Sequence, residues 1–233
     1  MGMQLLQFST SHYCRKIRLA LGYKRLDYDV DNLTPGAHTL KLKPLTGLTT
    51  VPTLLPQHPD APEAIGDSTQ ILKFLEIRYP DPPLTFGDEA LDRQAWMLED
   101  WFDESIGTAT RFVYYDFRAG EGKSINSSWF SQLLVRVVRF QYSITPAAVE
   151  LARDRLNLAL SYLESRSKER PYLVGDRLSV ADLAAAGLLS PLALIPHYRR
   201  NYPWLFERLV AVHQQCDEPL PPGLEETGSI EKA

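Results

Sequence analysis

The sequence predicts an α/β half followed by an all-helical half. Three features point there: a strand–helix–strand pattern at the start, a proline-rich break at Asp81-Pro82-Pro83, and almost no strand patterning beyond it. The expected organisation is an α/β domain over 1–80, a linker over 81–88 and a helical domain over 89–233.

Met3-Gln4-Leu5-Leu6-Gln7-Phe8 is an apolar run with the length of a buried strand. After it Tyr13, Ile17, Ala20 and Leu21 recur at helical spacing, so a helix opens just past Ser11. Leu26 to Val30 alternates apolar and polar residues and reads as a second strand, parallel to the first through the helical crossover. Pro35 to Leu42 predicts a short helix that Lys43-Pro44 stops. Pro52 precedes a short apolar strand, Thr53-Leu54-Leu55, and a Pro-rich turn over 56–62 leads to Glu63-Ala64-Ile65. Gly66-Asp67-Ser68 opens another helix with Ile71, Leu72 and Leu75 inward, ended by Arg78-Tyr79-Pro80.

Beyond the break, residues 89–117 read as one long helix rich in aromatic residues, 120–128 as a loop, and 129–141 as a further helix. Thr145-Pro146 has the cap-then-proline form of a helix start, with Val149, Ala152, Leu156, Leu160 and Leu163 inward. Leu178-Ser179-Val180-Ala181-Asp182-Leu183 combines a capping-box variant with a hydrophobic staple. The tail after Asp217 carries the marks of a fraying terminus.

Charge and cysteine content narrow the function. A net charge of -4 argues against a nucleic-acid binder, and no apolar run approaches a membrane span. The basic group Arg15, Lys16 and Arg18 reads as a solvated helix face or a local anion attractor. Two cysteines, Cys14 and Cys216, supply neither a disulfide framework nor a metal cage, so no metal is expected and a reducing cytoplasm fits. The hydroxyl of Ser11 stands at a strand-to-helix junction, beside unpaired N–H groups and the positive end of the helix dipole. Such a place holds an anion, a thiolate included, although a serine there also serves as a plain helix cap.

Five features in fixed order resemble a known family. They are the Ser11-x-x-Cys14-Arg15-x-x-Arg18 helix start, Val51-Pro52, Asp67-Ser68-x-x-Ile71, the proline-rich linker, and Ser179-Val180-Ala181-Asp182. Together they resemble the soluble glutathione transferase superfamily over nearly the whole chain. The resemblance implies a thioredoxin-like N-terminal domain, a helical-bundle C-terminal domain and a two-fold homodimer. It implies glutathione as co-substrate, with an electrophilic small molecule as the second substrate.

Carried over by residue, Ser11 resembles the catalytic serine of the serine-type classes. Val51-Pro52 resembles the cis-proline site whose preceding backbone pairs with the cysteinyl part of glutathione. Asp67 and Ser68 resemble the acidic-Ser pair that takes the γ-glutamyl end, with helix capping as their alternative role. Three departures stand out. His12 replaces a frequent proline, the segment 45–50 is longer than usual, and Thr50 replaces a frequent Gln or Lys. His38 and Lys41 are candidates for the glycyl carboxylate, and either also suits an exposed surface. Tyr13-Cys14 is similar to the second half of a glutaredoxin Cys-Pro-Tyr-Cys motif whose nucleophile position is Ser11 here; Cys14 is expected to pack as a small apolar group. The function expected is glutathione transfer by a Ser11-stabilised thiolate, to an electrophilic carbon or a hydroperoxide. The alternatives are a non-catalytic binding module and thiol–disulfide exchange through Cys14.

Overall fold

A computed structural model describes residues 2–168 and 170–224. Four strands, β1 (Met3–Gln7), β2 (Tyr28–Asn32), β3 (Thr53–Leu55) and β4 (Ile65–Gly66), form one sheet in the order β2-β1-β3-β4. β1 and β2 run parallel with Gln7 opposite Asn32, while β3 is antiparallel to β1 with Leu6 opposite Thr53. β4 is antiparallel to β3, with Gly66 opposite Thr53. β1 is central because Leu5, Leu6 and Gln7 are all buried. The edge strand β2 instead carries Asp29 and Asp31, charges that discourage pairing with another chain.

Helix α1 (His12–Tyr23) makes the crossover between β1 and β2, and α3 (Ser68–Arg78) packs beside it. Helix α2 (His38–Thr46) differs from the expected 35–42, because it starts later and runs through Pro44. Proline removes only one N–H there, and the stop comes from Gly47, whose φ of 75° lets its N–H reach the Lys43 carbonyl at 2.9 Å.

The helical domain begins with α4 (Glu89–Asp100), capped by Asp88 Oδ1, which accepts from Ala90 N and Leu91 N at 3.0 Å each. The expected helix continues to α5 (Gly107–Ala119), but through a π-helical stretch, Trp101–Ile106, that turns Phe102, Asp103 and Ile106 inward. A 3-10 turn, Glu121–Asn126, stands where a loop was expected, before α6 (Trp129–Gln141). Thr145 Oγ1 accepts from Ala148 N at 3.2 Å and opens α7 (Pro146–Ser167), whose five expected inward residues are all buried. α9 (Pro196–Asn201) and α10 (Pro203–Gln215) close the bundle.

The centre of the molecule is α8 (Val180–Leu189), buried along its whole length. Asp182 Oδ2 accepts from Ser179 N at 3.1 Å and from Ser179 Oγ at 2.9 Å. Its Oδ1 accepts from Leu173 N at 2.9 Å and Arg208 Nη2 at 3.0 Å, so one carboxylate ties α8 to the preceding loop and to α10. α8 meets α1 where Gly187 lies against Lys16; a Cβ there would come 2.9 Å from the Lys16 backbone. Glycine is required at that approach.

Two expectations fail at this joint. Arg15, Lys16 and Arg18 do not form a solvated face: Arg15 donates to Ser190 Oγ at 2.6 Å, Lys16 is 0% exposed, and Arg18 pairs with Glu218 at 2.6 Å. They point at the helical domain, which a reading of α1 alone does not reveal. Nor is 218–224 frayed, while the rest of the expected tail, 225–233, lies outside the described residues. Glu218 holds Arg18, and Leu224 is buried against the bundle.

Candidate active site

The registers bring four chain ends to one edge of the sheet. β1 and β2 both end there, β3 begins there and β4 ends there. Ser11, the lead-in Thr50-Val51-Pro52, Asp67-Ser68 and the approach to α2 therefore share that edge.

Ser11 has extended backbone and donates its N–H to the Phe8 carbonyl at 3.0 Å. Its Oγ accepts from Cys14 N at 3.4 Å and so caps α1. That bond uses a lone pair; the hydroxyl also faces the Cys14 side chain as a donor, at a half-buried position beside the positive helix end. The Val51–Pro52 bond is cis. Since the β1–β3 register starts at Thr53, Val51 lies outside the ladder; Val51 is half-buried, Pro52 buried and Thr50 exposed.

The other expected contacts already have protein partners. Asp67 is the cap of α3, with φ 72° and Oδ1 accepting from Gln70 N at 3.0 Å. Ser68 is buried, and its Oγ donates to Asp103 Oδ1 at 3.1 Å. The His38 ring meets Phe8 edge-on at 4.9 Å, and its Nδ1 accepts from Gly36 N at 3.0 Å. Lys41 pairs with Asp31 across the sheet edge.

Behind Ser11 runs a buried polar seam between the domains. Lys16 Nζ bonds Glu99 Oε1 at 2.7 Å and also Asp103 Oδ1, while Thr69 Oγ1 donates to Glu99 at 3.0 Å. Burial pushes the Glu99 carboxyl above its usual range, and Lys16 counters that push. Tyr13 donates its hydroxyl to the Asp103 backbone carbonyl at 2.8 Å. His12 Nε2 lies 3.1 Å from the Gly107 carbonyl, which can only accept, so that nitrogen carries the proton. Burial first, and the Arg111 charge second, hold His12 well below its usual pKa. Cys14 is fully buried, and burial pushes its thiol up to about 11. Arg111 lies over two rings, 5.2 Å from the centroid of Tyr13 and 4.4 Å from that of Tyr142.

Lys16, Glu99, Asp103, His12 and Arg111 were missed as site-associated residues. The available signal was Glu99 and Asp103, spaced four apart on a helix that also carries Trp96, Trp101 and Phe102. Among the described residues, no group of three or more His, Cys, Asp or Glu is placed to hold a metal, and no helix is long and apolar enough to cross a membrane.

A thioredoxin-like sheet with a cis-proline beside the first helix, joined to a helical bundle centred on a capped helix, defines a class of fold. The chain belongs to the glutathione S-transferase family: residues 5–83 match the family's N-terminal domain and residues 146–214 its C-terminal domain. It is similar to FtsZ-localized protein A of Caulobacter vibrioides, 26% identical over 190 residues, covering 82% of this chain and 75% of that one. Among solved structures it resembles FzlA from C. crescentus, with TM-score 0.69 and 24% identity, covering 95% of each chain. A glutathione S-transferase from Methylobacterium radiotolerans, in complex with glutathione sulfonate, has TM-score 0.69 and 21% identity, covering 97% of this chain and 94% of that one.

Proposed function

We propose that the chain is a serine-type glutathione transferase, using 1–80 to hold glutathione, 81–88 as a linker and 89–233 to receive an electrophile. The observation that carries this is Ser11: a half-buried hydroxyl at the positive end of α1, whose proton would turn from the Cys14 side chain to a bound sulfur. In this reading it donates to the glutathione sulfur and favours the thiolate. A free thiol has a pKa of about 8.5, and lowering it by roughly two units takes about 2.7 kcal/mol. A hydrogen bond to a charged acceptor supplies about 1.5–3 kcal/mol, and a helix N-terminus about 0.3–1 more. No general base is then needed.

The Val51 backbone would pair with the cysteinyl part, with Thr50 and Pro52 shaping that wall. The γ-glutamyl carboxylate would meet the Ser68 N–H at the start of α3, since the Ser68 hydroxyl is engaged by Asp103. Asp67 would receive the ammonium on its Oδ2, and His38 and Lys41 are the candidates for the glycyl carboxylate. The thiolate lone pair forms the new bond to an electrophilic carbon, and the leaving group departs with the old pair. With a hydroperoxide the bond forms to oxygen as O–O breaks. A homodimer working in a reducing cytoplasm completes the reading. Replacing Ser11 with Ala and titrating the bound thiol by ultraviolet absorbance tests it: an upward shift of one to two units, about 1.4–2.7 kcal/mol, supports the role. An unchanged thiol pKa and turnover would rule it out. Exchange through Cys14 is disfavoured by its burial and its raised pKa of about 11.

A second reading is a non-catalytic, partner-binding module. It is favoured by the apolar stripe that α6 exposes, Trp129, Phe130, Leu133, Val137 and Phe140, with Phe140 89% exposed. The Caulobacter relative is named for localising with FtsZ, and the partner of this stripe would be the same protein. Co-sedimentation with assembled FtsZ, abolished by Phe140→Glu, supports that reading; no co-sedimentation of the unaltered chain refutes it.

A further inference from the structure

Arg111 stands apart from the other arginines near the joint. Arg15 bonds Ser190, Arg18 pairs with Glu218, and Arg139 pairs with Asp116. Arg118, whose guanidinium is 5.9 Å from the Tyr114 ring, donates to Ser131 Oγ at 3.0 Å. Arg111 is also half-buried, yet among the described residues it meets no carboxylate and no carbonyl, only the rings of Tyr13 and Tyr142. None of its nitrogens is sealed away from solvent. Its planar fork therefore remains open to a ligand.

Its place on α5 says which ligand. Gly107, Arg111 and Tyr115 fall four apart and share one helix face. At Gly107 that face meets α1, where the Tyr13 hydroxyl lies 2.8 Å from where a Cβ would stand. Tyr13 is two residues from Ser11. Arg111 also opposes the protonation of His12 and favours ionised Tyr13 and Tyr115, so its charge reaches α1 and its own wall. Its positive charge adds to that of the α1 N-terminus, and two tyrosine rings, Tyr13 and Tyr142, lie against it. A guanidinium set among aromatic faces is the complement of a flat anion.

We propose that Arg111, with Tyr13 and Tyr142, forms a subsite for small aromatic carboxylates, the carboxylate on the guanidinium and the ring on the tyrosines. This rests on the transferase reading only in making such a carboxylate the second substrate. The binding itself stands independently.

The test is calorimetry with two probes of one shape, 4-nitrobenzoate and the neutral 4-nitrobenzamide, with and without glutathione. The unaltered chain should prefer the benzoate at least tenfold at low salt. Arg111→Met should weaken benzoate binding about 10- to 100-fold and bring the two affinities together, the worth of a charge-assisted bond. Arg111→Lys should retain part of the preference and guards against a misfolded Met variant. Equal affinity of the unaltered chain for both probes, or equal weakening of both in Arg111→Met, overturns the proposal. Failure to bind or turn over glutathione removes the transferase reading, and the benzoate comparison still decides the subsite.

Discussion

Replacing Lys16 with Met should destabilise the whole protein. Lys16 is 0% exposed, bonded to Glu99 at 2.7 Å and to Asp103, both carboxylates themselves buried. Removing the ammonium leaves Glu99 with Thr69, and Asp103 with Ser68, as their remaining side-chain donors. Breaking a buried ion pair from one side costs about 3–5 kcal/mol. In a chain of this size that corresponds to roughly 6–20 °C in melting temperature, at about 2–4 °C per kcal/mol. Scanning calorimetry reads it directly. The pH dependence identifies the cause. Without Lys16, which lowers the Glu99 pKa, the raised folded pKa rises further. A raised carboxyl pKa makes folding less favourable as pH climbs from the unfolded value through the folded one. The Met variant's deficit should therefore be larger at pH 7 than at pH 5. Adding Glu99→Gln and Asp103→Asn should recover most of the loss, because neutral groups are cheaper to bury. A deficit below about 1 kcal/mol, or one larger at pH 5 than at pH 7, would refute the account.

Three further outcomes follow from the same structure. Cys14 and Cys216, both fully buried with thiols pushed up to about 11 and about 12, should not react with an aromatic disulfide reagent until the chain unfolds. Rapid labelling of the native protein would contradict that. His213 is 0% exposed, with Nδ1 2.8 Å from the Leu209 carbonyl and Nε2 without a partner among the described residues, and burial lowers its pKa to about 4. Its depressed value means stability falls as pH drops from about 6.5 to about 4, by about 3 kcal/mol, and His213→Leu should flatten that slope. Glu218→Ala removes the partner of Arg18 and should raise protease cleavage within 217–224 by several-fold, read by limited proteolysis, with the rest of the chain intact.

The fold was legible because each half writes its period plainly. The inward residues of α7 lie at helical spacing, and the Ser179–Asp182 capping pattern marks the start of α8. Local sequence was misleading where a tertiary contact overrides it. Pro44 suggested a stop that Gly47 makes instead, and the π stretch at 101–106 answers to packing that no periodicity encodes. Of the candidate site, the Ser11 cap at the strand-to-helix junction was legible locally, while the cis Val51-Pro52 bond was expected only through the family resemblance. Lys16 was misread because its neighbours Arg15 and Arg18 suggested solvent, and its carboxylate partners lie more than eighty residues away. Arg111 carries no sequence pattern at all; only the rings beneath it single it out.

The same few turns of backbone serve both the joint and the candidate site. The start of α1 is capped by Ser11, the proposed thiolate donor, and then gives Tyr13 to the Asp103 carbonyl and Lys16 to the Asp103 carboxylate. α3 offers its N-terminus to the same edge while Ser68 holds that same carboxylate. Asp103 thus fixes the relative positions of the two helix starts that the proposed chemistry requires. Its placement depends on the π stretch, because an uninterrupted α-helix would rotate residue 103 relative to both α4 and α5. The irregular segment is then part of the site's support, although it touches none of the proposed glutathione contacts except Ser68.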